Sequence, residues 1–380
     1  MTQNLRQAAG SVLVVGLGGP ELTGLERAWL RLVRPGGIIL FRRNIADAAQ
    51  TRVLLDEATG LGALHAMRCV DVEGGAVDRL RDALASLPSA QEVSGAARKL
   101  RQPALAREHG ELIARAVKAF GFNTTLAPVL DLGLPEAKQV LGPRTAGSNA
   151  AEIIEYVHPF LEGLAAQGVT GCGKHFPGLG GAGGDTHFLT PHIERTLAQI
   201  WTEDLAPYRS LHSVLPMIMI NHAAYPATRS GDRPASASRF WMTTVLRRRI
   251  GYRGIVFSDD LEMGGILKFF SIEEAVIEVL RAGGDLLEIC HSAELILRGF
   301  EALLAEAERS AAFRALLLSR AAELERKRKR LYAAGVSRAL TARQYEALRQ
   351  RVLRFRERIS AIEADASPRR TKVASPVEIA

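Results

Sequence analysis

The sequence predicts a (β/α)8 barrel, and three observations carry that prediction. Eight short apolar runs recur along the chain, helical segments lie between most of them, and polar residues gather where the runs end. Runs that are apolar without clean alternation suit strands covered on both faces, as in a parallel sheet. Their repeated alternation with helices favours a closed TIM-type barrel over a doubly wound sheet, the main competitor.

The strand candidates are SVLVVGL (11–17), GGIILF (36–41), HAMRCVDV (65–72), NTTLAPVLDL (123–132), GVTGCGKHF (168–176), PMIMINH (216–222), GIVFSDD (254–260) and DLLEIC (285–290). Helices are expected over 25–33, 48–59, 110–121 and 149–167. The last sets Ile153, Tyr156, Val157, Phe160 and Leu164 along one stripe at helical spacing. After His291 the chain reads as one long helical stretch over 292–334, and after a break at Gly335–Ser337 a second covers 340–365. The prolines, serines and charges of 366–380 suit a mobile tail. The expected organisation is a barrel domain over 1–308, a basic helical C-terminal extension over 309–365, and the tail.

Composition fits a large core. Hydrophobic residues make up 47% and charged residues 24% of 380, near the averages for a globular protein. Net charge is +8, but its distribution says more. Residues 309–380 hold 18 Lys and Arg against 7 Asp and Glu, leaving 31 basic against 34 acidic residues in the rest. Basic character belongs to the extension. Its cluster Arg326–Arg330 and the arginines from Arg343 to Arg358 would attract phosphates, yet stacking aromatics are scarce and glutamates interrupt the run. A solvated helical face is expected there, and no nucleic-acid partner. The N-terminal segment shows no basic-then-apolar leader and no span of membrane length, so the expected location is the cytoplasm. Cys69, Cys172 and Cys290 are odd in number, far apart and set in apolar runs. Buried structural thiols are expected, with neither a disulfide framework nor a zinc site.

Asp71, Asp131, Lys174–His175, Asn221–His222, Asp259–Asp260 and His291 all fall at the C-terminal ends of strand candidates. In barrels that end carries the active site, because the βα loops converge there. GKHFPGLGGAGGDTHFLTP (173–191) leaves a strand with Lys174–His175, enters a permissive glycine-rich loop and delivers Asp185 and His187 two residues apart. A carboxylate beside an imidazole orients the ring and raises its pKa, which suits His187 to proton donation. A solvated Asp-x-His on a surface loop is the bland alternative. YRGIVFSDDLEM (252–263) ends a strand in two carboxylates, compatible with a metal site, a helix cap or a nucleophile. Side-chain alternation lets only one of Asp259 and Asp260 point inward. CVDVEGGAVDRLR (69–81) turns at Gly74–Gly75 and brings Arg79 back towards Asp71, a pairing that suits sugar hydroxyls or simply braces the loop.

Taken together and in order, these segments resemble family 3 glycoside hydrolases, in their single-domain bacterial β-N-acetylhexosaminidase branch. GGIILFRRN (36–44), APVLDL (127–132) with Arg144 downstream, MIMINHAAYP (217–226), RPASASRFWMTTVLRRRIGYRGIVFSDDLEM (233–263) and AGGDLLEI (282–289) continue the likeness over 11–305. The resemblance implies a retaining double displacement on a terminal β-linked N-acetylglucosamine. Asp259 would be the nucleophile and His187 the general acid/base, held by Asp185. Asp71, Arg79, Arg144, Lys174 and His175 would bind the sugar. It implies no cofactor and no metal, a small carbohydrate as partner, and a link to cell-wall fragment turnover; a monomer is expected. A His–Asp donor departs from the usual pair of carboxyl groups, and the departure is the family's own. This sequence departs further, with Ala76 and Leu179 where members commonly carry Arg and His.

Four rival readings stand beside this one. They are a β-glucosidase or β-xylosidase of the same family, an enzyme using phosphate in place of water, a barrel that binds sugar without catalysis, and a metal-dependent hydrolase. The last wants His-x-His on one strand, and no strand candidate offers it.

Overall fold

The computed structural model describes residues 4–183 and 190–364. Each of the eight apolar runs supplies one strand: β1 Leu13–Val15, β2 Gly37–Leu40, β3 Met67–Val70, β4 Thr124–Thr125, β5 Thr170–Phe176, β6 Met217–Ile220, β7 Ile255–Asp260 and β8 Leu286–Ile289. They pair in parallel in chain order, and β8 closes on β1 with Val14 opposite Glu288. β4 is short, and pairing with β5 resumes as a single bridge between Val129 and Lys174, just past Pro128, which has no N–H to give.

The helices are α1 Leu5–Ser11, α2 Gly24–Val33, α3 Ala48–Gly60, α4 Ala90–Leu100, α5 Ala104–Ala119, α6 Ala150–Ala166, α7 Leu197–Thr202, α8 Ala206–Leu211, α9 Gly264–Leu267, α10 Ile272–Ala282, α11 Ala293–Arg309, α12 Ala311–Leu331 and α13 Ala342–Ala364. A π-helix spans Phe240–Ile250. Capping boxes at Thr23/Glu26, Ser89/Glu92 and Ser271/Glu274 satisfy the first N–H groups of α2, α4 and α10. α5 starts at Ala104 and not at Gly110, since Leu105, Ala106 and His109 already lie on its buried face. α5 and α6 meet backbone to backbone: a Cβ on Gly110 would lie 2.2 Å from the Phe160 carbonyl oxygen. All three cysteines are buried and unpaired, as the sequence suggested.

The C-terminal helices correct two expectations. Residues 292–334 form two helices, because Ser310 ends α11 and its hydroxyl accepts the Phe313 N–H at 3.2 Å to start α12. Nor is the basic cluster simply a solvated face. α12 passes beneath the N-terminal end of the barrel, where Arg328, only 1% exposed, donates to the Ser11 carbonyl at 2.6 Å and Lys327 donates to that of Gly254 at 3.0 Å. The Tyr332 hydroxyl lies 2.8 Å from Thr124 Oγ1, at the start of β4. Arg328 extends a buried stripe of Phe313, Leu317, Ala321 and Leu324, so register carried it inside. α13 buries Leu348, Val352, Phe355 and Ile359 and packs on α4 and α5. Among the described residues no helix is long and apolar enough to cross a membrane.

Candidate active site

At the C-terminal end of the barrel the loops enclose a cleft of about 530 Å³, whose lining includes Asp71, Arg79, Arg144, Lys174, His175, Asp259, Asp260 and Glu288. Asp71 follows β3 directly. The chain then forms a small hairpin, Val72–Gly74 against Val77–Asp78, turned by Gly74 and Gly75 at φ of +89° and +63°, where glycine is favoured. The hairpin returns Arg79, whose N–H donates to the Asp71 carbonyl at 3.1 Å and whose guanidinium lies 3.6 Å from Asp71 Oδ2.

Lys174 sits in an irregular stretch of β5, buried between two carboxylates: Nζ is 2.9 Å from Asp71 Oδ1 and 2.7 Å from Glu73 Oε1. Arg144 grips Glu73 through two parallel bonds of 2.8 and 2.9 Å. Burial alone would raise the Glu73 carboxyl, but Arg144 and Lys174 outweigh it and hold the group far below the usual carboxylate range. Lys174 shifts the other way: burial opposes its charge, and Asp71 and Glu73 overcome that and raise its pKa. Glu73 was missed in the sequence, where Glu73-Gly74-Gly75 read only as a turn. Its signal is a carboxylate two residues beyond Asp71, a spacing that puts both on one side of an extended chain.

His175 is oriented from behind. Asp131 Oδ2 accepts its Nδ1–H at 2.6 Å and its backbone N–H at 3.1 Å, while Oδ1 accepts the Leu179 N–H at 2.8 Å. Nε2 is thereby the acceptor, 3.4 Å from Arg144 Nη2. Leu179 itself lines the cleft.

Both Asp259 and Asp260 line the cleft, against the expectation that only one would. The reason is an irregularity in the β7–β8 ladder: Phe257 faces Leu286, yet Asp260 faces Glu288, so one extra residue on β7 breaks the alternation. The Asp260 carboxyl is pushed up to about 7, first by burial and then by Glu262 and Asp259. Glu262 takes the N–H groups of Cys290, His291 and Ser292, fixing the turn after β8. Asp259 accepts the Asp260 N–H at 3.0 Å and makes no ion pair among the described residues. Asp185 and His187 lie outside the described residues. One atom each of Asp260, Cys290 and His291 falls within 4.8 Å of the others, a spacing a metal ion could bridge. Arg43, however, donates to His291 Nδ1 at 3.0 Å, leaving the proton of the neutral ring on Nε2, which faces Asp260.

The model of the glycosyl hydrolase family 3 N-terminal domain matches residues 8–315. The chain belongs to glycosyl hydrolase family 3. A β-hexosaminidase of Idiomarina loihiensis is 35% identical over 279 residues, 73% of this chain and 83% of that protein. One of Chromobacterium violaceum is 36% identical over 285 residues, 74% of this chain and 79% of its own. Among solved structures, NagZ from Neisseria gonorrhoeae in complex with N-trifluoroacetyl-D-glucosamine superimposes with a TM-score of 0.69 at 29% identity, covering 83% of this chain and 98% of that one. A family 3 β-N-acetylglucosaminidase from Paenibacillus gives a TM-score of 0.83 at 28% identity, over 93% of this chain and 69% of its own.

Proposed function

We propose that the chain is a retaining exo-glycosidase releasing terminal β-linked N-acetylglucosamine. The observation that carries this reading is the cleft itself, where Asp259, without an ion pair among the described residues, stands beside Asp71, Arg79, Arg144, Lys174 and His175. Their charges and protons are already committed to one another, so they present fixed donors and acceptors to sugar hydroxyls. Asp259 is left to attack.

In the first step an Asp259 oxygen bonds to the anomeric carbon, the bond to the aglycone oxygen breaks, and that oxygen takes a proton from His187, oriented by Asp185. In the second, water attacks the same carbon, His187 takes its proton, and Asp259 leaves; two inversions retain configuration. The β-hexosaminidase relatives and the N-acetylglucosamine analogue held by the Neisseria protein support the choice of sugar. Fragments of cell-wall turnover are the substrate class we favour. Three buried, unpaired thiols suit a reducing compartment such as the cytoplasm.

The test is release of 4-nitrophenol from its β-N-acetylglucosaminide and its β-glucoside by wild type and Asp259→Ala. Preference for the N-acetyl sugar, lost in the variant, is the expected result. Folded wild type inert on both sugars would overturn the reading.

A further inference from the structure

Barrel interiors are filled in layers of four side chains from alternate strands, and the uppermost layer is the floor of the mouth. Here that floor is made by Ile39 of β2, Leu126 just after β4, Met219 of β6 and Glu288 of β8, all lining the cleft and none more than 2% exposed. Three are apolar and the fourth carries a carboxyl. Among the described residues Glu288 Oε1 is buried without a hydrogen-bond partner. The backbone does not need this side chain: the Glu288 N–H donates to Ser258 Oγ at 3.0 Å and its carbonyl accepts the Leu261 N–H at 2.9 Å. Leucine or valine would complete the layer and spare the desolvation of an unpartnered acid. A buried polar group that lines a cleft and is left unsatisfied by the described residues points to a partner that arrives with the ligand.

We propose that Glu288 contacts the substrate, its carboxyl donating a hydrogen bond to an oxygen of the terminal sugar, and that it is a specificity-determining residue of the site. This rests on the reading of the cleft as a sugar site. The protonation state fits a donor. Burial, then Asp260, Asp71 and Asp259, raise the Glu288 carboxyl well above its ordinary value; Lys174 opposes them but is already clamped by Asp71 and Glu73. The other titratable neighbours, the thiols of Cys69, Cys172 and Cys290, are themselves pushed up by burial and stay neutral.

The experiment uses wild type, Glu288→Leu and Glu288→Gln. It records melting temperature, kcat/KM on 4-nitrophenyl β-N-acetylglucosaminide against pH, and competitive inhibition by N-acetylglucosamine. Glu288→Leu is expected to melt no lower than wild type, yet to lose about tenfold in both kcat/KM and inhibitor affinity, as one neutral hydrogen bond to the sugar disappears. Glu288→Gln keeps an N–H donor and cannot ionise. It should stay within about threefold of wild type near pH 7 in both kcat/KM and inhibition. Should Glu288→Leu not fold, Glu288→Met takes its place in the same assays. Wild-type kcat/KM and inhibition in a folded apolar variant, or the same tenfold loss in Glu288→Gln, would overturn the inference while leaving the sugar-site reading intact. A wild type that neither turns over the glycoside nor binds N-acetylglucosamine would sink both.

Discussion

At the N-terminal end of the barrel Asp285 stands among three cations: Arg247 at 2.6 Å, Arg320 at 3.1 Å and Lys327 at 4.0 Å. At the C-terminal end Lys174 stands between two carboxylates, with Asp131, Asp259, Asp260 and Glu288 close by. The first arrangement surrounds one acid with bases and ties the last helices to the strands. The second shares its bases unevenly among its acids, so some carboxyls are clamped as anions and others are pushed towards the neutral form. Buried charge at one end holds the molecule shut, and at the other it keeps groups poised for protons and sugars.

The sharpest way to break this contrast is to remove one carboxylate from each end. Asp259→Ala should lower kcat by about a thousandfold or more, with a melting temperature close to that of wild type, as expected for a nucleophile that makes no ion pair among the described residues. Asp285→Ala should do the reverse. It takes the carboxylate away from Arg247 and leaves Arg320 only the more distant Glu323 at 3.8 Å, and it should cost about 3–5 kcal/mol in denaturant unfolding, while the folded fraction keeps its turnover. Loss of activity per folded molecule in Asp285→Ala would show that the two ends are coupled.

Next in size is a pH effect confined to the mouth. The Asp260 carboxyl rests at about 7 in the fold against an ordinary 3.8, so the folded state holds its proton more tightly than the unfolded chain. That stabilisation is complete below about pH 4 and is lost as pH rises through about 7. Asp260→Asn cannot ionise, and it should gain on wild type across this window by about 1–3 kcal/mol in unfolding free energy. A constant difference between the two from pH 4 to 8 would contradict the shift. The smallest effect belongs to the lower end: Tyr332→Phe gives up the 2.8 Å bond to Thr124 and should cost about 0.5–1.5 kcal/mol by the same measurement, with turnover unchanged.

Much of this contrast was legible in the sequence at the mouth and little of it below. Strand ends announce mouth residues by a change from apolar to polar, which is why Asp71, Lys174, His175 and Asp259 could be named and are found lining one cleft. Glu73 escaped because its importance lies in partners, Lys174 and Arg144, that are 71 or more residues away. The joint placement of Asp259 and Asp260 depends on a one-residue slip between β7 and β8, and no residue type in SDD declares a bulge. Below the barrel, Arg328 was readable as the next position of the Leu317, Ala321, Leu324 stripe; its charge obscured a register that was plain from spacing alone. Glu288 presents the same lesson in an apolar strand.

The seat of α12 beneath the barrel has a consequence for the order of assembly. Ser11, Thr124, Gly254 and Asp285 each gain a partner from α12 or from Tyr332 at its end, all translated after the eight strands. A nascent chain that has already closed its sheet therefore waits with its underside open and Asp285 held by Arg247 alone of its three cations. The final turns of α12 act as a latch, and ribosomal stalling or premature termination before Arg328 would release a barrel that is wound but not fastened.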